Sequence, residues 1–198
     1  MRADILVVGG GIGGLTAALA LTRDGHRVTV LEKAAQFAEL GAGLQLAPNA
    51  TRVLAGLGVP GRVLEAGVQP RRLLLRSALT ARELTALDLG EPFRARYGAP
   101  YVVMHRSDLL AILYDACRDA GVGLRAGQDV RAVTGDGGVA TAECADATSY
   151  RGAALVAADG LHFRYPRAVL RRPAGLLGLR RLPRHGQHRR GERAVRAG

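Results

Sequence analysis

Three glycines and one acid carry the clearest chemistry in this chain. Gly9, Gly11 and Gly14 in the stretch VVGGGIGG match the G-x-G-x-x-G spacing, and Glu32 follows 18 residues past Gly14. Each glycine has a mechanical reason: the first permits a tight turn out of a strand, the second lets backbone approach a pyrophosphate, and the third allows a helix to pack closely on that strand. A helix opening at this turn presents N–H groups and a partial positive charge to phosphates. A carboxylate at the end of the next strand accepts ribose hydroxyls and repels a 2′-phosphate. Together these residues describe a cradle for the adenylate half of a dinucleotide, without separating one dinucleotide from another.

The elements around the motif have the pattern such a cradle requires. ADILVVG is a short apolar run bounded by glycine, as expected of a parallel strand covered on both faces. Leu15, Ala18, Leu19 and Thr22 then recur at helical spacing, Gly25 supplies a stop, and RVTVLE reads as the second parallel strand. This strand-helix-strand unit has the length a crossover needs. The run from Ile5 to Thr22 is uncharged, but the five glycines between Gly9 and Gly14 argue against a membrane span or leader, at about 1 kcal/mol each in a helix.

Further along, LGAGLQL reads as a glycine-rich loop, followed by a helix starting near Pro48 or Asn49 and stopping at Gly56 or Gly58. RRLLLRSA and RELTALDLG read as strands of a smaller sheet. A second strong helix follows, with Ser107 as its expected cap, Leu109, Leu110, Leu113 and Ala116 as its apolar stripe, and Gly121 as its end. GLRAG, VRAVTGD, GVATAEC and AALVAADG are β-like.

Bulk composition narrows the function classes. The formal charge of +11 is concentrated after Phe163, where eleven arginines face the single acid Glu192, so the first 163 residues are close to neutral. Of the 28 basic residues only Lys33 is lysine, a bias typical of GC-rich genes. Arg, Gly, Ala and Pro make up 23 of the last 35 residues, a composition expected to be poorly ordered. Cys117 and Cys144 lack metal-ligand or redox spacing and are expected to be small apolar core residues in a reducing, cytoplasmic setting. His105 and His162 read as surface or turn histidines rather than general bases.

Three segments in order resemble the class A flavoprotein aromatic hydroxylases, the group containing salicylate hydroxylase and 3-hydroxybenzoate 6-hydroxylase. These are ELGAGLQLAPNATRVLAGLGV, VVMHRSDLLAILYDAC and ALVAADGLH, and with the glycine motif the resemblance spans Asp4 to about His162. It implies an α/β, Rossmann-like FAD-binding domain with a parallel sheet over residues 1–162, a small β-rich insertion contributing substrate-domain strands near 68–104, and an incomplete second half. It further implies that Gly9, Gly11 and Gly14 hold the FAD pyrophosphate and Glu32 the adenosine ribose. Arg106 would lie along the phosphates, Val130 would meet the adenine through its backbone, and Asp159 and Gly160 would form a turn serving both FAD and the nicotinamide cofactor.

The implied reaction is reduction of FAD by NADH or NADPH, addition of oxygen to the reduced flavin, and hydroxylation of a small phenolic substrate by the resulting hydroperoxide. No metal is required, and no catalytic side chain is assigned. The resemblance ends where Phe163 and Pro166 stand at the family's serine and arginine positions. A truncated product, frameshifted just after His162 and weak or inactive as a hydroxylase, is the expectation there. Two rivals remain: a nicotinamide-dependent dehydrogenase, which would purify without yellow colour, and a non-enzymatic protein whose basic tail binds nucleic acid non-specifically. The resemblance implies no specific nucleic acid and no membrane.

Overall fold

The computed structural model describes residues 2–38 and 41–160. The expectations for the arginine-rich tail and for His162 lie outside the described residues.

In chain order the elements are β1 (Asp4–Val8), α1 (Ile12–Arg23), β2 (Arg27–Leu31), β3 (Gly43–Leu46), α2 (Pro48–Gly56), α3 (Pro60–Ala66), β4 (Arg72–Arg76) and β5 (Glu83–Asp88). There follow α4 (Glu91–Tyr97), β6 (Val102–His105), α5 (Arg106–Asp119), β7 (Gly123–Arg125), β8 (Val130–Asp136), β9 (Val139–Cys144), β10 (Ser149–Gly152) and β11 (Ala154–Ala157). A four-stranded sheet runs in the order β11-β1-β2-β7, with every pairing parallel. A three-stranded antiparallel sheet runs β10-β9-β8, and β3-β6 and β4-β5 form two-stranded ribbons. The parallel α/β class expected from the sequence is what the chain adopts.

β1 lies in the middle of three layers, and its alternation shows why an apolar strand was required. Ile5 and Val7 join Leu15, Ala18 and Leu19 of α1 and Leu109, Leu110 and Leu113 of α5 in one cluster. Leu6 and Val8 point to the opposite face, where Val130, Ala142 and Cys144 of the antiparallel sheet cover them. Each fully buried leucine here is worth about 1.5–3 kcal/mol relative to exposure. Cys117 and Cys144 are free and buried, one in each cluster, as expected of small apolar core residues.

Three local expectations are corrected. The glycine-rich stretch before Pro48 is not all loop, because Gly43–Leu46 pairs antiparallel with Val102–His105. That pairing carries the strand through His105, so α5 begins at Arg106 and Ser107 sits inside its first turn instead of capping it. The Ser107 hydroxyl bonds His105 Nδ1 at 2.6 Å and Asp108 Oδ1 at 3.2 Å. The third correction is the omission of α3 and α4, seven residues each with proline in the first turn.

The β4-β5 ribbon stands apart from the core. Its register runs from Arg72↔Asp88 to Arg76↔Glu83, with an irregularity between Leu75 and Arg76. Leu73, Leu74, Leu75, Leu84 and Leu87 are 39–59% exposed, so neither face of the ribbon is covered among the described residues.

Candidate functional site

The carboxyl end of β1 and the start of α1 come together over the end of β11. Gly9 has φ +108, a backbone conformation that only glycine adopts freely. Its N–H donates to the Leu31 carbonyl at 2.8 Å, and a Cβ on it would overlap the Ala158 carbonyl. A Cβ on Gly14 would overlap the carbonyl oxygen of Gly9, so α1 approaches the turn as closely as backbone permits. Gly11 and Gly13 differ, since a Cβ on either would meet nothing within 4 Å and both line a cleft.

That space lies where a helix has N–H groups to offer. The first intrahelical bond of α1 runs from Leu15 N–H to Gly11 C=O at 3.0 Å, so the N–H groups of Ile12, Gly13 and Gly14 precede any acceptor within the helix. No side chain caps this end, and the first turn contains no acid. An anion is the natural complement of such a terminus.

Glu32, one residue beyond β2, fixes the turn from the side. Its Oε2 accepts the Gly10 N–H at 2.6 Å and its Oε1 accepts the Ala34 N–H at 2.9 Å. Each carboxylate oxygen has a second lone pair, so these bonds leave acceptor capacity for a ligand hydroxyl. Gly10 is glycine because a Cβ there would run into the Phe37 ring and lie 2.9 Å from the Glu32 Cβ. The sequence motif gave no sign that the acid also buttresses the glycine turn.

The cleft has a volume of about 680 Å³. Gly9, Gly11, Glu32, Arg106, Val130, Asp159 and Gly160 all line it, and Gly14 lies beneath as the packing glycine. Residues far apart in the chain therefore converge on one place. Arg106 opens α5 and donates its N–H to the Ala42 carbonyl at 3.2 Å, and a Cβ on Gly41 would come within 2.7 Å of the Arg106 Cβ. Asp159 and Gly160 follow β11, whose exit is tied to β1 by Ala158 N–H to Val8 C=O at 2.7 Å, and Gly160 has φ +83. Val130 begins β8 and is buried.

Several lining residues were not anticipated: Ile12, Gly13, Lys33, Gln128, Asp129 and Ala158. Ile12 and Gly13 sit inside the glycine run and could have been inferred from it, whereas Gln128 and Asp129 carry no motif. His105 does not line the cleft; its Nδ1 lies 2.6 Å from the Ser107 hydroxyl, which is 3.2 Å from Asp108 Oδ1. Among the described residues no group of three His, Cys, Asp or Glu side chains is placed to hold a metal ion. The donor set, the missing Cβ atoms and the cleft size fit a dinucleotide pyrophosphate with its adenosine.

Comparison with known proteins gives the family. The profile described as FAD binding domain matches residues 2–169. The chain belongs to this FAD-binding family. 3-Hydroxybenzoate 6-hydroxylase 1 of Aquipseudomonas alcaligenes is 41% identical over 162 residues, which is 81% of this chain and 41% of that protein. 6-Hydroxynicotinate 3-monooxygenase of Pseudomonas fluorescens is 32% identical over 166 residues, covering 84% of this chain and 43% of the relative. Among solved structures, Klebsiella pneumoniae HpxO in complex with FAD and uric acid superimposes with a TM-score of 0.69 at 31% identity, over 79% of this chain and 39% of that one. This FAD-binding chain thus spans about 40% of the length of its relatives. The two curated relatives are named a hydroxylase and a monooxygenase, not a dehydrogenase of the kind raised as a rival. No helix among the described residues is long and apolar enough to cross a membrane.

Proposed function

We propose that the chain is the adenylate-holding part of an NADH- or NADPH-dependent flavoprotein monooxygenase that hydroxylates a small phenolic compound with oxygen. The observation that carries this reading is the convergence of Gly9, Gly11, Glu32, Arg106, Val130, Asp159 and Gly160 on one cleft. The hydroxylases and monooxygenases among the relatives support it.

Each residue has a role suited to its chemistry. The N–H groups opening α1 and the side-chain-free surface of Gly11 receive the pyrophosphate. Glu32 accepts hydrogen bonds from the adenosine ribose while holding Gly10. Arg106 sets a permanent forked cation along the phosphate oxygens. The backbone of Val130 meets the adenine, and the Asp159-Gly160 turn closes the cleft where FAD and the nicotinamide cofactor both approach. FAD, when bound, supplies the exchange of electrons with the nicotinamide and the activation of oxygen. The cytoplasm is the setting that suits two reduced, buried thiols, and no specific nucleic acid belongs to this scheme.

The test is FAD binding by the purified chain, followed by quenching of flavin fluorescence. Retained yellow colour that is lost in Glu32→Ala and Gly11→Val supports the assignment. A wild-type chain that leaves added FAD fluorescence unchanged overturns it.

A further inference from the structure

Gln128 lies in the cleft wall next to Glu32, and the glycine motif gives it no part. Its N–H donates to the Glu32 carbonyl at 2.8 Å, while the Gly127 N–H donates to the Ala34 carbonyl at 2.8 Å, so the two cleft-lining residues sit on adjacent, hydrogen-bonded segments. The far end of the Gln128 side chain is held from another layer. Tyr150 of β10, packed against the cluster of Val130, Ala142 and Cys144, donates its phenol to Gln128 Oε1 at 3.1 Å.

The sense of the carboxamide follows from its neighbours. Asp146 accepts the Thr148 N–H at 2.9 Å, and its carboxyl lies below the usual carboxylate range mainly because of Thr148, with a smaller contribution from the Gln128 amide. An ionised carboxylate only accepts, so it draws the NH2 end of Gln128 and leaves Oε1 for the phenol. An amide nitrogen has two protons, so a contact with Asp146 leaves one for a ligand.

We propose that Gln128 donates its second amide proton to a ribose hydroxyl of the bound adenylate, and that Tyr150 is the positioning residue that sets the amide's orientation. This rests on the FAD-binding reading given above. The chemistry is complementary: the hydroxyl gives its proton to Glu32, which can only accept, and its lone pairs then require a donor, which Gln128 supplies. Without the phenol the amide loses the partner of its Oε1 and can turn, placing a carbonyl oxygen against acceptors.

The experiment measures binding of FAD, ADP, 2′-deoxy-ADP and 3′-deoxy-ADP to the full chain, in wild type, Tyr150→Phe and Gln128→Leu, alongside thermal melting. Wild type is expected to prefer ADP over at least one deoxy analogue. Both variants are expected to bind ADP and FAD roughly fivefold to tenfold more weakly, the size of one hydrogen bond, and to lose that preference. A preference for ADP that persists undiminished in both variants, with only the melting temperature lowered, reduces Tyr150 to a structural brace and overturns the proposal while the FAD reading stands. A wild-type chain that binds neither FAD nor ADP overturns both together.

Discussion

Gly14 presses its Cα hydrogen face against the carbonyl oxygen of Gly9, where a methyl group would overlap it. Gly11, between them, faces open cleft. The two glycines should therefore fail differently. Gly14→Ala must push α1 away from the turn and loosen the cluster of Leu15, Ala18 and Leu19, an overpacking change of about 1–3 kcal/mol measurable by urea denaturation. Gly11 has φ −73 and ψ −178, which alanine adopts without strain. Gly11→Ala should hold its stability within about 0.5 kcal/mol and lose at least roughly tenfold in FAD affinity because the methyl occupies ligand space. Equal stability losses in the two variants would refute this division of roles.

Glu32 joins the turn to the ribose site, so its substitutions should affect both. Glu32→Gln keeps one acceptor but sets an NH2 group against either the Gly10 or the Ala34 N–H, and leaving such a donor unsatisfied costs about 1–3 kcal/mol. Flavin quenching should report weaker FAD binding, and thermal melting should fall in the same variant. A variant that melts like wild type and binds FAD like wild type would remove Glu32 from the site.

The parts of this fold that could be read in advance are those whose cause is local. An uncharged run stopping at glycines, with an acid after the next apolar run, leaves little besides β1, α1 and β2. β3 and β6 exist because they pair with each other across more than fifty residues, and nothing local in Gly43–Leu46 announces that partner. α3 and α4 are too short to show an apolar period, and only their prolines mark them. The same division applies to the cleft. Gly9, Gly11 and Glu32 follow from a spacing with a mechanical reason, whereas Gln128 enters through a phenol 22 residues away that no motif links to it.

The β4-β5 ribbon should be the least protected ordered structure among the described residues. A lone two-stranded ribbon is marginal in water, and its leucines contribute little because they are 39–59% exposed. Amide hydrogens of Leu74 and Ala86 should exchange orders of magnitude faster than those of Val7 and Val30, which are fully buried in the parallel sheet. Leu74→Ala should change global stability by less than about 0.5 kcal/mol, whereas Leu113→Ala in the core should cost about 2–5 kcal/mol. Matching exchange rates in the two sheets would show that something covers the ribbon in solution.

Cys117 gives the core a dependence on alkaline pH. Its thiol bonds the Leu15 carbonyl at 3.3 Å across the α1-α5 contact, and burial pushes its pKa up to about 11 from the ordinary 9.0, partly opposed by a backbone contact with Leu19. The unfolded chain therefore releases this proton first as pH rises, which favours unfolding. The stabilising difference is fully present below about pH 9 and is lost progressively between about pH 9 and about pH 11. Cys117→Ala removes this titration, so the denaturant midpoint of the variant should fall less steeply with pH over that interval than the wild-type midpoint. The two proteins differ at this one side chain, so the comparison isolates its contribution. A thiol reagent offers an independent check: below about pH 9 the folded chain should react at Cys117 only as fast as it opens, and fast modification of native protein would mean the thiol is not buried.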